Sequence, residues 1–196
     1  MAKQVHYNAA EHIPASAASD PYNRPAFSLQ NRLQRLVWGI VWRIFFKLSP
    51  RPFFHWRAFL LRLFGAKLAA GCKFYPGAII HSPWNLTCDE LVAVADGAEI
   101  YNPAPLRIGS HAILSQGCYV CGATHDFDDP AFPLLAYAME LGAYSWICAR
   151  ACVAPGVTVG EGAVLGLASV ATRNLEPWTV YAGSPAVKVK DRKHEA

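Results

Sequence analysis

Residues 141–170 read LGAYSW ICARAC VAPGVT VGEGAV LGLASV when cut in sixes. The first place holds Leu141, Ile147, Val153, Val159 and Leu165, all aliphatic. The fifth holds Ser145, Ala151, Val157, Ala163 and Ser169, all small or β-branched. Glycine falls second at Gly142, Gly160 and Gly166. Neither a helix of period 3.6 nor an alternating strand keeps this phase. A fixed six-residue repeat marks a parallel β-helix, in which each repeat is one short strand and one corner. The aliphatic residue points into the core, and the small residue lets the chain turn beside it. The glycines are expected to supply the unusual backbone angles of a tight corner. Coils stack at strand spacing, about 4.8 Å, so like residues pile on like.

The same rhythm runs upstream with slips. Leu68, Phe74, Ile80, Leu86 and Val92 are spaced by six, the register then shifts by two to Val94 and Ile100, and it shifts again before Ile108, Leu114 and Val120. Residues 121–140, CGATHDFDDPAFPLLAYAME, break the pattern and are expected to project as a loop from one corner. The β-helix is expected over residues 65–173. After Val170, TRNLEPWTVYAGSPAVKVK is expected to leave the coils as a C-terminal tail over residues 174–196, whose end, KVKDRKHEA at 188–196, is basic and frayed.

Before the coils, Ser28 is placed to N-cap a helix over LQNRLQRLVWGIVWRIFFKL, and FFHWRAFLLRLF forms a second helix that stops at Gly65. Residues 1–27 read as a flexible arm, and residues 28–64 as a basic, amphipathic extension. The fold class is therefore an all-β solenoid, a parallel β-helix with an N-terminal α-helical extension.

The net charge of +4 on 196 residues hides an asymmetry. From Pro21 to Cys88 there are ten Lys and Arg and no acid; all fourteen acids lie elsewhere. Such a segment prefers an anionic surface; no nucleic-acid partner is expected. The apolar run from Leu36 to Ile44, broken by Arg43, is too short to span a bilayer, which needs about 20 residues. Two readings stand: the helices pack on the β-helix or a neighbouring subunit, or they lie in the membrane interface with arginines on the headgroups. The first residues lack a signal peptide's apolar core, which leads to an expectation of a cytoplasmic protein, peripheral at most on the inner membrane face, with reduced thiols. Cys72 and Cys118 occupy fifth places of hexads as small hydrophobes. Cys118 and Cys121 form a C-x2-C, but no second pair has matching spacing, so no metal is expected.

The projecting segment carries His125, followed by Asp126, Asp128 and Asp129. An imidazole can take up and return a proton near neutral pH, as a hydroxyl nucleophile requires of its base. The alternative is that His125 only caps the loop.

The hexads, with THDF at 124–127, WICARACVAPGVTVGEGAVLGLASVATRN at 146–174 and VYAGSPA at 180–186, resemble the hexapeptide-repeat acyltransferases. SPRPFFHWRAFLLRLFGAKL, PWNL and HDFDDPAFPL narrow the resemblance to acetyltransferases of colanic-acid-type exopolysaccharide biosynthesis. The resemblance, over about residues 28–190, implies a left-handed β-helix, a hand that the periodicity does not fix. It implies transfer of an acetyl group from acetyl-CoA to a sugar hydroxyl, with His125 as general base and the backbone amide of Ala149 as oxyanion donor. It places Leu167, Thr172 and Arg173 along the coenzyme, Arg173, Lys188 and Lys190 at its phosphates, and Trp146 beside its pantetheine arm. The family often has a further basic residue where this chain has Val187. Asn102 matches a position that contacts the acceptor, and Asp126 would orient His125 or bind the sugar. Homotrimers are implied, with the coenzyme between adjacent prisms. Two other readings are a γ-type carbonic anhydrase, whose zinc would need His81, His111 and His125 to converge between subunits, and a non-catalytic, membrane-tethered scaffold.

Overall fold

The computed structural model describes residues 11–12 and 26–193. Apart from residues 11–12, 26 and 27, the expected arm over residues 1–27 lies outside them. Three ranks of residues stack along a prism of about six turns. In sheet I, Leu68, Cys88, Ile108 and Leu141 pair in register on parallel strands, and Val159 and Leu175 continue the rank. Sheet II stacks Phe74, Val94, Leu114, Ile147, Leu165 and Tyr181. Sheet III stacks Ile80, Ile100, Val120, Val153 and Ala171. All but Leu68 are buried. Burial of each large aliphatic chain contributes about 1.5–3 kcal/mol.

The slips in the hexad rhythm all fall at one corner, the passage from sheet III to sheet I. Rank residues are six apart at the other two corners, whereas eight residues separate Ile80 from Cys88 and Ile100 from Ile108. The first slip thus follows Ile80. Val92 is a buried fifth-place residue, not a first-place one. Leu86, Leu106 and Met139 fill the widened corner from inside, where Val157 suffices at a plain one.

The second-place glycines act differently from expectation. The left-handed angle falls at the fourth place of the hexad, with φ of 57° at Tyr144, 58° at Arg150 and 64° at Gly162. Gly142 and Gly160 are needed for close approach instead: a Cβ would sit 2.5 Å from the Glu161 nitrogen and 2.6 Å from the Pro177 nitrogen, both backbone atoms of the next coil. Replacing Gly142 by Ala is expected to cost about 1–3 kcal/mol through overpacking. Urea unfolding read by circular dichroism checks this, with an unchanged midpoint as the contrary result.

The C-terminal segment also departs from expectation. Thr179–Gly183 adds to sheet II in parallel beside Val164–Leu165, and Ala186–Asp191 turns back on it as an antiparallel partner. The coils therefore continue past residue 173. The physical reason is the open edge that a last coil presents, which the hairpin covers along sheet II. Nor is the chain frayed as far as Lys193, and residues 194–196 lie outside the described residues. The Arg192 guanidinium donates to the Tyr144 and Gly162 carbonyls at 2.8 and 2.9 Å and lies over the Trp178 ring.

The opposite edge is closed by the helical extension. Helix α1 (Leu29–Val41) is capped by Ser28, whose hydroxyl accepts from the Asn31 N–H, and runs on into a π-turn at Trp42–Phe46. Helix α2 spans Phe54–Leu63. Each strand of the first coil receives donors from this cap. The Trp38 and Trp42 indoles donate to the Ile80 and Ala78 carbonyls. Arg62 donates to the Leu68 carbonyl. Arg57, fully buried, donates to the Phe74 carbonyl, the Ser49 hydroxyl and the Pro50 and Arg51 carbonyls. These four bonds fix the linker between the helices onto the coil. One face of the extension thus packs on the β-helix.

Candidate active site

The segment 121–140 is a hairpin rather than an irregular loop. Ala123–His125 pairs antiparallel with Leu134–Ala136, His125 opposite Leu134. The strand Glu11–His12 lies along the other side of Leu134–Ala136. Ala123, Leu134 and Ala136 form a small core of their own with Ala104, against which Phe27 and Tyr101 pack. The hairpin leaves the prism at the corner between sheets III and I.

His125 is fixed by Phe132 at the far side of the tip. The two rings stack at 4.5 Å and 10°. The imidazole Nδ1 lies 2.9 Å from the Phe132 carbonyl. A carbonyl only accepts, so Nδ1 carries a proton and donates it, and in the neutral ring the lone pair is then on Nε2. The acids beside His125 are otherwise engaged. Asp126 accepts from the Asp128 N–H and Asp129 from the Ala131 N–H, each closing its own turn. The main chain, not Asp126, therefore orients the ring, because a carboxylate one residue away is turned into the tip. Nothing in the residue pattern marks Phe132 for this role; it emerges from the hairpin register.

Asn102 stands at the same corner but faces inward. It is buried at 2% exposure, accepts from the Ser82 N–H at 3.1 Å and donates to the Ser82 carbonyl at 2.8 Å. Its amide ties one coil to the next. At that burial the side chain offers no surface to a hydroxyl in this chain, so the acceptor role expected for it does not fit its position. Thr172, half-buried, and Arg173, exposed, follow Ala171 at this corner.

The other expected residues lie on sheet II and at its corner with sheet III. Trp146 stands on the outer face of sheet II, 43% exposed, between Ile113 and Val164, and its indole donates to the Ser115 hydroxyl at 2.9 Å. Ala149 and Leu167 occupy successive coils of the corner. The fold uses the Ala149 carbonyl, which accepts from the Ala168 N–H at 3.0 Å, and leaves the Ala149 N–H without an acceptor among the described residues. The Gln116 and Leu167 N–H groups repeat the pattern, so the corner presents a column of available amides. Leu167 is 71% exposed. Lys188 and Lys190 project from the last strand, and Lys188 is paired with Asp191 at 2.8 Å and Glu176 at 3.7 Å. That pairing raises the Lys188 pKa, through the hydrogen bond to Asp191 first and its charge second.

Within one chain, His125 and the Ala149 amide thus stand at two different corners of the prism.

The remaining candidates do not converge within one chain among the described residues. His81 pairs with Glu99 at 2.8 Å on the face of sheet III, and His111 stacks on Tyr144 at the corner between sheets I and II. Cys118 points into the core, where burial pushes its thiol up to about 12. Cys121 faces the hairpin and donates to the Ala123 carbonyl.

No protein-family model matches the chain. It is 36% identical over 162 residues to the protein of Escherichia coli K12 named "Putative colanic acid biosynthesis acetyltransferase WcaF", a match covering 83% of this chain and 89% of that one. Among solved structures, a galactoside acetyltransferase in complex with coenzyme A superposes with a TM-score of 0.78 at 18% identity, over 85% of this chain and 84% of that one. The hexapeptide-repeat acetyltransferase VCA0836 of Vibrio cholerae, complexed with acetyl coenzyme A, gives 0.77 at 19%, over 87% and 93%. These two likenesses concern the fold, a left-handed β-helix. The sequence match reaches further, and by it the chain belongs to the hexapeptide-repeat acetyltransferases, beside those of colanic acid biosynthesis.

Proposed function

We propose that the protein transfers an acetyl group from acetyl-CoA to a sugar hydroxyl during the assembly of a cell-surface glycan, acting as a homotrimer. The observation that carries this reading is the fixed tautomer of His125, whose Nδ1–H is held by the Phe132 carbonyl and whose Nε2 is left as a base. The acceptor hydroxyl gives its proton to Nε2 as its oxygen attacks the thioester carbonyl. The tetrahedral oxyanion is met by the Ala149 N–H of an adjacent copy. The carbon–sulfur bond then breaks, and the coenzyme thiolate takes the proton back from His125. The products are the acetyl ester and free CoA. Trp146 and Leu167 would flank the pantetheine arm, with Thr172, Arg173 and Lys190 toward its far end. Lys188 would have to exchange its acid partners for a phosphate. A glycan built on a lipid carrier would bring the acceptor to the cytoplasmic face of the inner membrane, where the enzyme would act as a peripheral protein.

The test is thiol release from acetyl-CoA in the presence of free sugars, nucleotide sugars, lipid-linked oligosaccharides and finished polymer, with mass spectrometry of the acceptor. Release that depends on one acceptor class, with the mass of one acetyl group gained, is expected. No acceptor-dependent release in any class would overturn the reading.

A further inference from the structure

Helix α1 has two apolar faces. Trp38, Val41 and Trp42 face the first coil. On the opposite side, Leu29, Leu33, Leu36, Val37, Ile40 and Ile44 follow the spacing i, i+4, i+7, i+8, i+11, i+15, which keeps them on one stripe. They are 79, 61, 61, 44, 49 and 52% exposed. A helix that only packs on a core is apolar on one side and polar on the other, so this second stripe has no use in the fold. Phe45, Trp56 and Phe59 extend it. The Trp56 indole donates to the Phe45 carbonyl and stacks with Phe59 at 5.8 Å, and all three are exposed. Arg32, Arg43 and Lys47 are exposed on or beside the same helix.

We infer that this face docks on an anionic lipid surface, with α1 lying in the plane of the interface. Charge decides between the possible occupants. No acid occurs from Pro21 to Cys88, so a second copy of the same face would set cations against cations with nothing to pair them. An anionic bilayer offers both a hydrocarbon layer for the stripe and headgroups for the guanidinium and ammonium groups. No helix among the described residues is long and apolar enough to cross a membrane, which leaves the in-plane mode. The contact extends the reading of an enzyme at the membrane face, but its test does not depend on acetyl transfer.

Flotation of the full chain with phosphatidylcholine vesicles, with or without a third of phosphatidylglycerol, reads the contact directly. Binding to the anionic vesicles is expected, and neutral vesicles should bind at least tenfold less. Leu33→Glu with Ile40→Glu should remove binding at least tenfold, while oligomeric state and melting temperature stay unchanged. Arg32→Gln with Arg43→Gln, which leaves the apolar stripe intact, should weaken binding to anionic vesicles only. Absence of wild-type flotation, or flotation equal in the Leu33→Glu/Ile40→Glu variant, would overturn the proposal. So would a shift of the glutamate variant to a smaller oligomer, which would mark the face as a contact between copies.

Discussion

His125→Ala is expected to lower kcat by about 10²–10⁴-fold, the usual weight of a general base, with the KM for acetyl-CoA little changed. The split follows from geometry. The imidazole stands beside a hairpin tip, where it is held by the ring and carbonyl of Phe132. Removing it therefore takes away the proton acceptor and leaves the coils and the Ala149 corner intact. A lower kcat with unchanged coenzyme binding marks an interaction made in the transition state. Steady-state kinetics together with a melting curve checks both halves. Turnover within threefold of wild type would remove His125 from the chemistry.

Ala149→Pro addresses the other half of the site. Proline lacks an N–H, and the Ala149 N–H has no acceptor among the described residues, so its loss breaks no bond there. Ala149 is also outside the set of residues with positive φ, so the fixed proline angle has the right sign. Loss of one oxyanion donor lowers kcat by about 10²–10³-fold. Ala149→Ser keeps the N–H and should stay near wild type, separating the amide from the side chain. If Ser and Pro variants fall equally while both remain folded, the amide is not the donor.

Much of this was legible in the residues. The hexads at 141–170 identified the solenoid because each place in the six has a distinct physical duty. The helix start at Ser28 and the stop at Gly65 followed from capping and glycine signals, and the structure has both. What escaped was whatever depends on neighbouring coils. Gly142 looked like a corner residue because period alone cannot tell a strained angle from a close approach. The last coil, Thr179–Gly183, breaks the six-residue count at Leu175, only four residues after Ala171, so the rhythm seemed to end. In the candidate site, His125 stood out by its chemistry. Its partner Phe132 did not, since strands of three residues are too short to show an alternation. Asn102 matched a family position, yet its amide serves the stacking of Ser82, a contact between coils twenty residues apart.

The separation of His125 and Ala149 on different corners of one prism makes a direct test available. His125→Ala and Ala149→Pro, each nearly inactive alone, are unfolded together in equal amounts and refolded into mixed assemblies. If each site takes its imidazole from one copy and its amide from the next, random mixing should restore about a quarter of wild-type turnover. Turnover no greater than the mean of the two single variants would place both groups in one chain and contradict the account.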